Sequence, residues 1–190
     1  MGFAFAFFPM TGVVAETHGK PLAGTEFQSW FGALDQVSLP DNSVLNEYVA
    51  QTPSKNIPEA SLQIAFAPRF SCSPMVSVIL SAEIVGAINN DFALQMTADG
   101  EDIAFPVLLD ELSSTSLQYS YNGNKDEQQK LRSLIDSSSH FSINWVPATQ
   151  DAQRPPNANR VNTAVFSLLG SRMSTMAVEN RCKQHEPAPY

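Results

Sequence analysis

Two cysteines, three histidines and a few close-set acidic residues are the first side chains to weigh for chemistry in this sequence. Cys72 and Cys182 lie 110 positions apart, which fits neither a CxxC redox motif nor a zinc framework, since both need close spacing. In an oxidising compartment the natural reading is a disulfide joining them. In the chain-entropy model, closing so long a loop stabilises by roughly 4–5 kcal/mol, less any strain in the native bond. In the cytosol they would be two buried thiols. A catalytic thiolate needs a depressed pKa and a nearby histidine, and nothing local supplies either.

The histidines offer little to a serine triad. His18 falls at the start of the chain and His185 in the tail, while His140 follows three serines and reads as a polar residue at a strand edge. No GxSxG occurs, and GSRMS does not set its serine in a nucleophile elbow. Asp99, Glu101 and Asp102 cluster at a turn, and Asp110-Glu111 end a strand; both groups read as solvated caps rather than an acid–base pair. EF-hand spacing for calcium is absent, as are the GxGxxG and GxxxxGK[ST] phosphate loops. No catalytic, cofactor-binding or metal-ligating residue is therefore expected, and the chain is read as a non-enzyme.

The elements that position these residues follow from composition and period. A chain of 190 residues with 43% hydrophobic and 16% charged residues suits one globular domain. Eleven Lys+Arg against nineteen Asp+Glu give a net charge of −8, with the cations scattered singly along the sequence. That balance opposes binding to nucleic acid or to anionic lipid. Residues 1–15, MGFAFAFFPMTGVVA, carry no charged side chain and have the length of a signal-peptide core, although the positive n-region is missing. The expected organisation is a leader over 1–15, one domain over 16–182 and a disordered tail over 183–190. The mature protein is then periplasmic or secreted, with no stable membrane insertion.

Phe27, Trp30, Phe31 and Leu34 recur at helical spacing. Val44, Leu45, Tyr48 and Val49 predict a second short helix, capped by Asp41. From Ser61 the period becomes two. Strands are expected around Leu62–Phe66 and Met75–Ile84. Phe92–Met96 and Ile103–Val107 follow as a hairpin through Asp99-Gly100, and Thr115–Tyr121 as a further strand. Asn124 with Glu127 predicts a capped helix carrying Leu131, Leu134 and Ile135 inward and leaving Lys125, Asp126, Lys130 and Arg132 to solvent. Thr163–Leu168 should pair antiparallel with Phe141–Val146. Gly170 then frees a sharp exit into a last helix, capped by Ser171, with Met173, Met176 and Ala177 facing inward. The fold class read from these segments is α+β, mainly β: an antiparallel sheet or β-sandwich with two or three short helices, one of them C-terminal.

Several segments resemble small periplasmic β-sandwich-like proteins: TADGEDIAFPV, QQKLRSLIDSS, HFSINWV and the ending VFSLLGSRMSTMAVENRC. The pattern is similar to the type VI secretion accessory family called TagO or VasI, and to the invasion-associated locus B family. The likeness spans roughly Leu62 to Cys182, and its most specific part is the ending. It implies an accessory role in envelope or secretion-system assembly and supplies no catalytic residue. The connection from Ala148 to Asn162 is long for a hairpin, and Arg154, Pro155, Pro156 and Arg160 within it form a candidate partner-contact loop. The favoured reading is an exported, non-enzymatic binding protein acting through protein–protein contacts. Alternatives are a small exported hydrolase or inhibitor whose site is scattered in sequence, and a cytosolic structural subunit that assembles through its hydrophobic N-terminus.

Overall fold

The computed structural model describes residues 20–38, 42–57, 59–81, 92–103, 107–112, 116–121, 123–147 and 163–185. The expected leader and the loop holding Arg154, Pro155, Pro156 and Arg160 lie outside them. Eleven strands are described: β1 Lys20–Pro21, β2 Phe31–Ser38, β3 Val44–Pro53, β4 Ala60–Phe66, β5 Pro74–Ser81, β6 Phe92–Ala98, β7 Glu101–Ile103, β8 Val107–Leu112, β9 Ser116–Tyr121, β10 His140–Pro147 and β11 Thr163–Ser167. Helix α1 spans Lys125–Ser137 and α2 spans Ser171–Lys183. The strands form a seven-stranded sheet, β1-β2-β3-β4-β5-β9-β8, and a four-stranded sheet, β11-β10-β6-β7, each antiparallel throughout. The fold is mainly β, with a C-terminal helix, as expected from the sequence.

One core draws on both sheets and both helices. Tyr48, Ala50, Leu62, Ile64, Phe66, Val76, Val78 and Leu80 supply the seven-stranded sheet's face, and Met96, Phe141, Ile143 and Phe166 supply the other sheet. At one end of that face, Ser54 bridges to Phe166 and its Oγ donates to the Val165 carbonyl at 3.1 Å. At the other end, Gln128 of α1 accepts from Val76 N and donates to the Tyr121 carbonyl, so α1 covers β5 and β9 there. Trp30 is 1% exposed and ties the N-terminal region to β11, its Nε1 donating to the Ser167 carbonyl at 2.9 Å.

Both helices expected before residue 50 are strands instead. Phe31 pairs with Gln51 and the ladder continues to Ser38 opposite Val44. The reason is burial on two faces: Tyr48 and Ala50 point to the core while the intervening Val49 and Gln51 are each 1% exposed on the other side. Contiguous buried residues in a doubly covered strand imitate helical spacing, because the period-two signal vanishes. The expected return strand from Ile103 to Val107 is also divided. Ile103 ends β7 in the small sheet, whereas Val107 opens β8 in the large one.

Helix α1 begins as its sequence requires. The Asn124 side chain accepts from the Asp126 and Glu127 amides, and Glu127 accepts from Asn124 N at 2.8 Å, completing the capping box. Helix α2 starts differently from expectation. Its cap is Gly170, at φ 91°, not Ser171; a Cβ at Gly170 would fall 2.3 Å from the Phe27 carbonyl oxygen. Ser171 is instead the first helical residue, buried, with its Oγ donating to the Ile135 carbonyl.

Candidate functional site

The residues that converge most are those fastening α2 to the rest of the molecule. After a 3-10 turn at Pro68–Phe70 the backbone passes through two left-handed residues, Ser71 at φ 53° and Cys72 at φ 45°. This brings Cys72 to Cys182 in the last turn of α2, and the two form a disulfide with α-carbons 6.0 Å apart. Both residues are buried. The chain does not loosen at position 183 as the expected tail boundary has it: Lys183 closes the helix, and His185 stacks on Tyr48 with ring centroids 5.6 Å apart. The disulfide one turn earlier holds the chain end against β3, which brings that imidazole onto the tyrosine ring.

Arg132, expected in solvent, is 7% exposed. Its guanidinium lies 5.5 Å above the Phe66 ring, with Nε 3.3 Å from Asp136 Oδ2 and Nη1 donating to Glu179 Oε2. Lys183 Nζ reaches the other Glu179 oxygen at 2.6 Å, and Thr175 Oγ1 donates to Asp136 Oδ1 at 3.2 Å. This charged cluster links α1 to α2 over the sheet. A planar cation can stack on the aromatic ring and serve two carboxylates at once, which is why an arginine occupies the position. Burial pushes the Asp136 carboxyl above the usual range, against the pull of Arg132. Burial also raises Glu179, but Lys183 and Arg132 together outweigh it and its carboxyl titrates below the usual range.

The faces of α2 are the reverse of those expected. Its buried side consists of Ser171, Ser174, Thr175, Val178 and Cys182, whereas Met173 and Met176 are 54% and 44% exposed and Leu169, just before the cap, is 54% exposed. The cause is the close approach of the helix to β2. A Cβ on Gly32 would stand 2.7 Å from Val178 Cγ2 and 2.5 Å from Thr25 Oγ1, so only small side chains fit on the inner face. Ser174 uses the proximity, donating to the Thr25 carbonyl at 2.9 Å. Hydroxyl contacts take the place of large apolar anchors.

The acidic turn is built as a backbone clamp. Asp99 accepts from Ser139 N at 3.0 Å and from His140 N at 2.8 Å, binding the β6–β7 turn to the start of β10. Those amides hold the Asp99 carboxyl below its ordinary pKa. Glu101 and Asp102 are exposed, and Asp102 accepts from Gln95 across the strands at 3.3 Å. His140 Nδ1 lies 3.9 Å from Asp99 Oδ1 on the surface. Asp110 and Glu111 lie in β8 at its register shift against β9. Among the described residues, no group of three or more His, Cys, Asp or Glu side chains could hold a metal ion, and no helix is long and apolar enough to cross a membrane.

Of the residues singled out from the sequence, the structure brings Cys72 and Cys182 together; His18 and the Arg154–Arg160 loop lie outside the described residues. Arg132, Phe66, Asp136 and Glu179 were not anticipated as a unit. Their legible signal is the i, i+4 spacing of Arg132 and Asp136, which sits on the side of α1 flanking its apolar stripe. Comparison with known protein families, with curated proteins and with solved structures returned no match.

Proposed function

We propose that this protein acts outside the cytosol, in the periplasm or as a secreted protein, as a non-enzymatic module that binds another protein. The observation that carries this reading is the buried Cys72–Cys182 bond, which persists only where thiols are not continually reduced. Apolar side chains left in solvent on α2 support the binding role, since a helix in a monomer ordinarily turns such residues inward. The finer assignment to envelope or secretion-system assembly rests on the resemblance of VFSLLGSRMSTMAVENRC and the segments before it.

Intact-mass measurement of the native protein after alkylation without reductant tests the location. Two unmodified, bonded cysteines together with cleavage after Ala15 are expected. Two alkylated thiols on a chain that keeps residues 1–15 would place it in the reducing interior and overturn the reading. The binding role fails separately, if the purified protein turns over ester, peptide or glycoside substrates and cross-links to no partner in its native cells.

A further inference from the structure

We infer that Met173 and Met176 form a surface site of reversible oxidation to methionine sulfoxide, one that takes oxygen from a peroxide without disturbing the fold. The inference needs an oxidant at the protein surface but no partner, so it stands apart from the binding role proposed above. The two methionines lie one turn apart on α2 and are 54% and 44% exposed, so both side chains meet solvent. Of the six methionines in the chain, Met1 and Met10 lie outside the described residues. Met96 is 3% exposed in the core, and Met75 is partly buried in β5. Among the described residues, the pair on α2 is therefore the thioether site most open to a small oxidant.

In the oxidation a thioether sulfur attacks one oxygen of hydrogen peroxide. The O–O bond breaks, the sulfur gives up two electrons as it becomes a sulfoxide, and the second oxygen leaves as water. Within a core the new S=O group would be buried without a donor, at a cost in stability. On α2 it is not. The helix is held by the hydroxyls of Ser171 and Ser174, by the Arg132–Glu179 pair and by the Cys182 bond, and none of these contacts uses a methionine. The exposed Arg172 and Asn180 stand four residues before and after Met176, which places N–H donors on the same side of the helix as its new oxygen. Reduction reverses the step: a sulfoxide reductase passes two electrons from a dithiol to the sulfur, the oxygen leaves as water, and the donor becomes a disulfide.

The test exposes the purified, disulfide-bonded protein to hydrogen peroxide, with timed samples quenched and digested for peptide mass spectrometry. Met173 and Met176 should each gain one oxygen roughly tenfold faster than Met96, or faster still, because Met96 reacts only when the small sheet opens. The urea midpoint and the exchange protection of α2 should match those of the untreated protein. Purified methionine sulfoxide reductases for both sulfoxide epimers, supplied with a dithiol donor, should then remove both oxygens from the folded chain. Oxidation of Met96 as fast as that of the pair would overturn the site. A midpoint lowered by peroxide in the wild type but not in Met173→Leu/Met176→Leu, which keeps the side-chain volume, would overturn the tolerance. Sulfoxides that the reductases remove only after unfolding in urea would overturn the reversibility.

Discussion

Cys182, in the last turn of α2, is bonded to Cys72 beyond β4, and between Cys72 and α2 the chain traverses eight of the described elements. The bond matters more here than on an ordinary amphipathic helix, because Val178 is the sole sizeable apolar side chain on the buried face of α2 besides Cys182. Replacing both cysteines by alanine should lower the unfolding free energy by roughly 3–5 kcal/mol, read as a reduced urea midpoint. The amides of α2 should lose exchange protection before those of β4 and β5. Equal protection across α2 and the central strands, with and without the bond, would contradict this account.

Arg132→Ala should cost about 2–4 kcal/mol, because it strips the counter-charge from Asp136 and Glu179 and the cover from Phe66. Arg132→Met combined with Glu179→Gln should recover part of that loss, since it removes one of the two orphaned charges and keeps the packing. Chemical denaturation of the two variants checks the order.

The same cluster sets a pH dependence with two opposed signs. Asp136 has its folded pKa raised, so its stabilising, protonated form is present on the acid side and lost as pH rises through the folded value. Glu179 has its folded pKa lowered, so its contribution is present above the ordinary carboxylate range and lost as pH falls through the folded value. Arg132→Met should move both carboxyls upward, because each loses the guanidinium that favours its ionised form. Carbon-detected NMR titration reads the two groups separately; an unmoved Asp136 would show that the guanidinium does not govern it.

Of the strands in the middle of the chain, β4, β6 and β9 were legible because their sequences alternate at period two, β5 because it is a continuous apolar run, and α1 because Asn124 and Glu127 state their cap plainly. The N-terminal strands were not. Tyr48, Val49, Ala50 and Gln51 are all buried, so neither face of β3 shows the polar alternation that marks a strand. The orientation of α2 was hidden for a related reason. Hydrophobicity alone turns Met173 and Met176 inward, but the helix is placed by Gly32, 138 positions before its cap Gly170, and that steric constraint has no local trace. The disulfide was legible as a pair because only two cysteines exist; the Arg132 cluster was not, since its acidic partner Glu179 and its ring partner Phe66 are far off in sequence.

Asp99→Asn should loosen the join between the β6–β7 turn and β10, since a neutral amide accepts less strongly from Ser139 N and His140 N. The lowered pKa of Asp99 means that its contribution is present above the usual carboxylate range and disappears as pH falls through the folded value. Wild type and variant should therefore differ in thermal midpoint near neutral pH and converge in strong acid. A gap that persists in acid would assign the effect to something other than the ionised carboxylate.

Gly32→Ala should detach α2 from β2. The new methyl group would meet Thr25 Oγ1 at 2.5 Å and Val178 Cγ2 at 2.7 Å, both on packed side chains with no room to retreat. A loss of about 2–3 kcal/mol is expected from such overpacking, together with weakened burial of Ser174 against Thr25. Pairing it with Val178→Ala, which removes one of the two clashing groups, should give less than the sum of the single losses. Strict additivity would mean that the two residues do not press on each other.

The two faces of α2 should answer differently to substitution, and that contrast separates a folding role from a binding one. Val178→Ala, on the buried face, should lower stability by roughly 1–3 kcal/mol through lost burial and the cavity left behind. Leu169→Ser, Met173→Ser and Met176→Ser, on the exposed face, should each stay within about 0.5 kcal/mol of wild type, because those side chains give up solvent contact rather than core contact. A helix whose apolar residues held the fold would show the opposite order. If the serine variants unfold early while Val178→Ala does not, then Leu169, Met173 and Met176 pack inward in solution, and the side of α2 that carries Met173 and Met176 holds the fold rather than a partner.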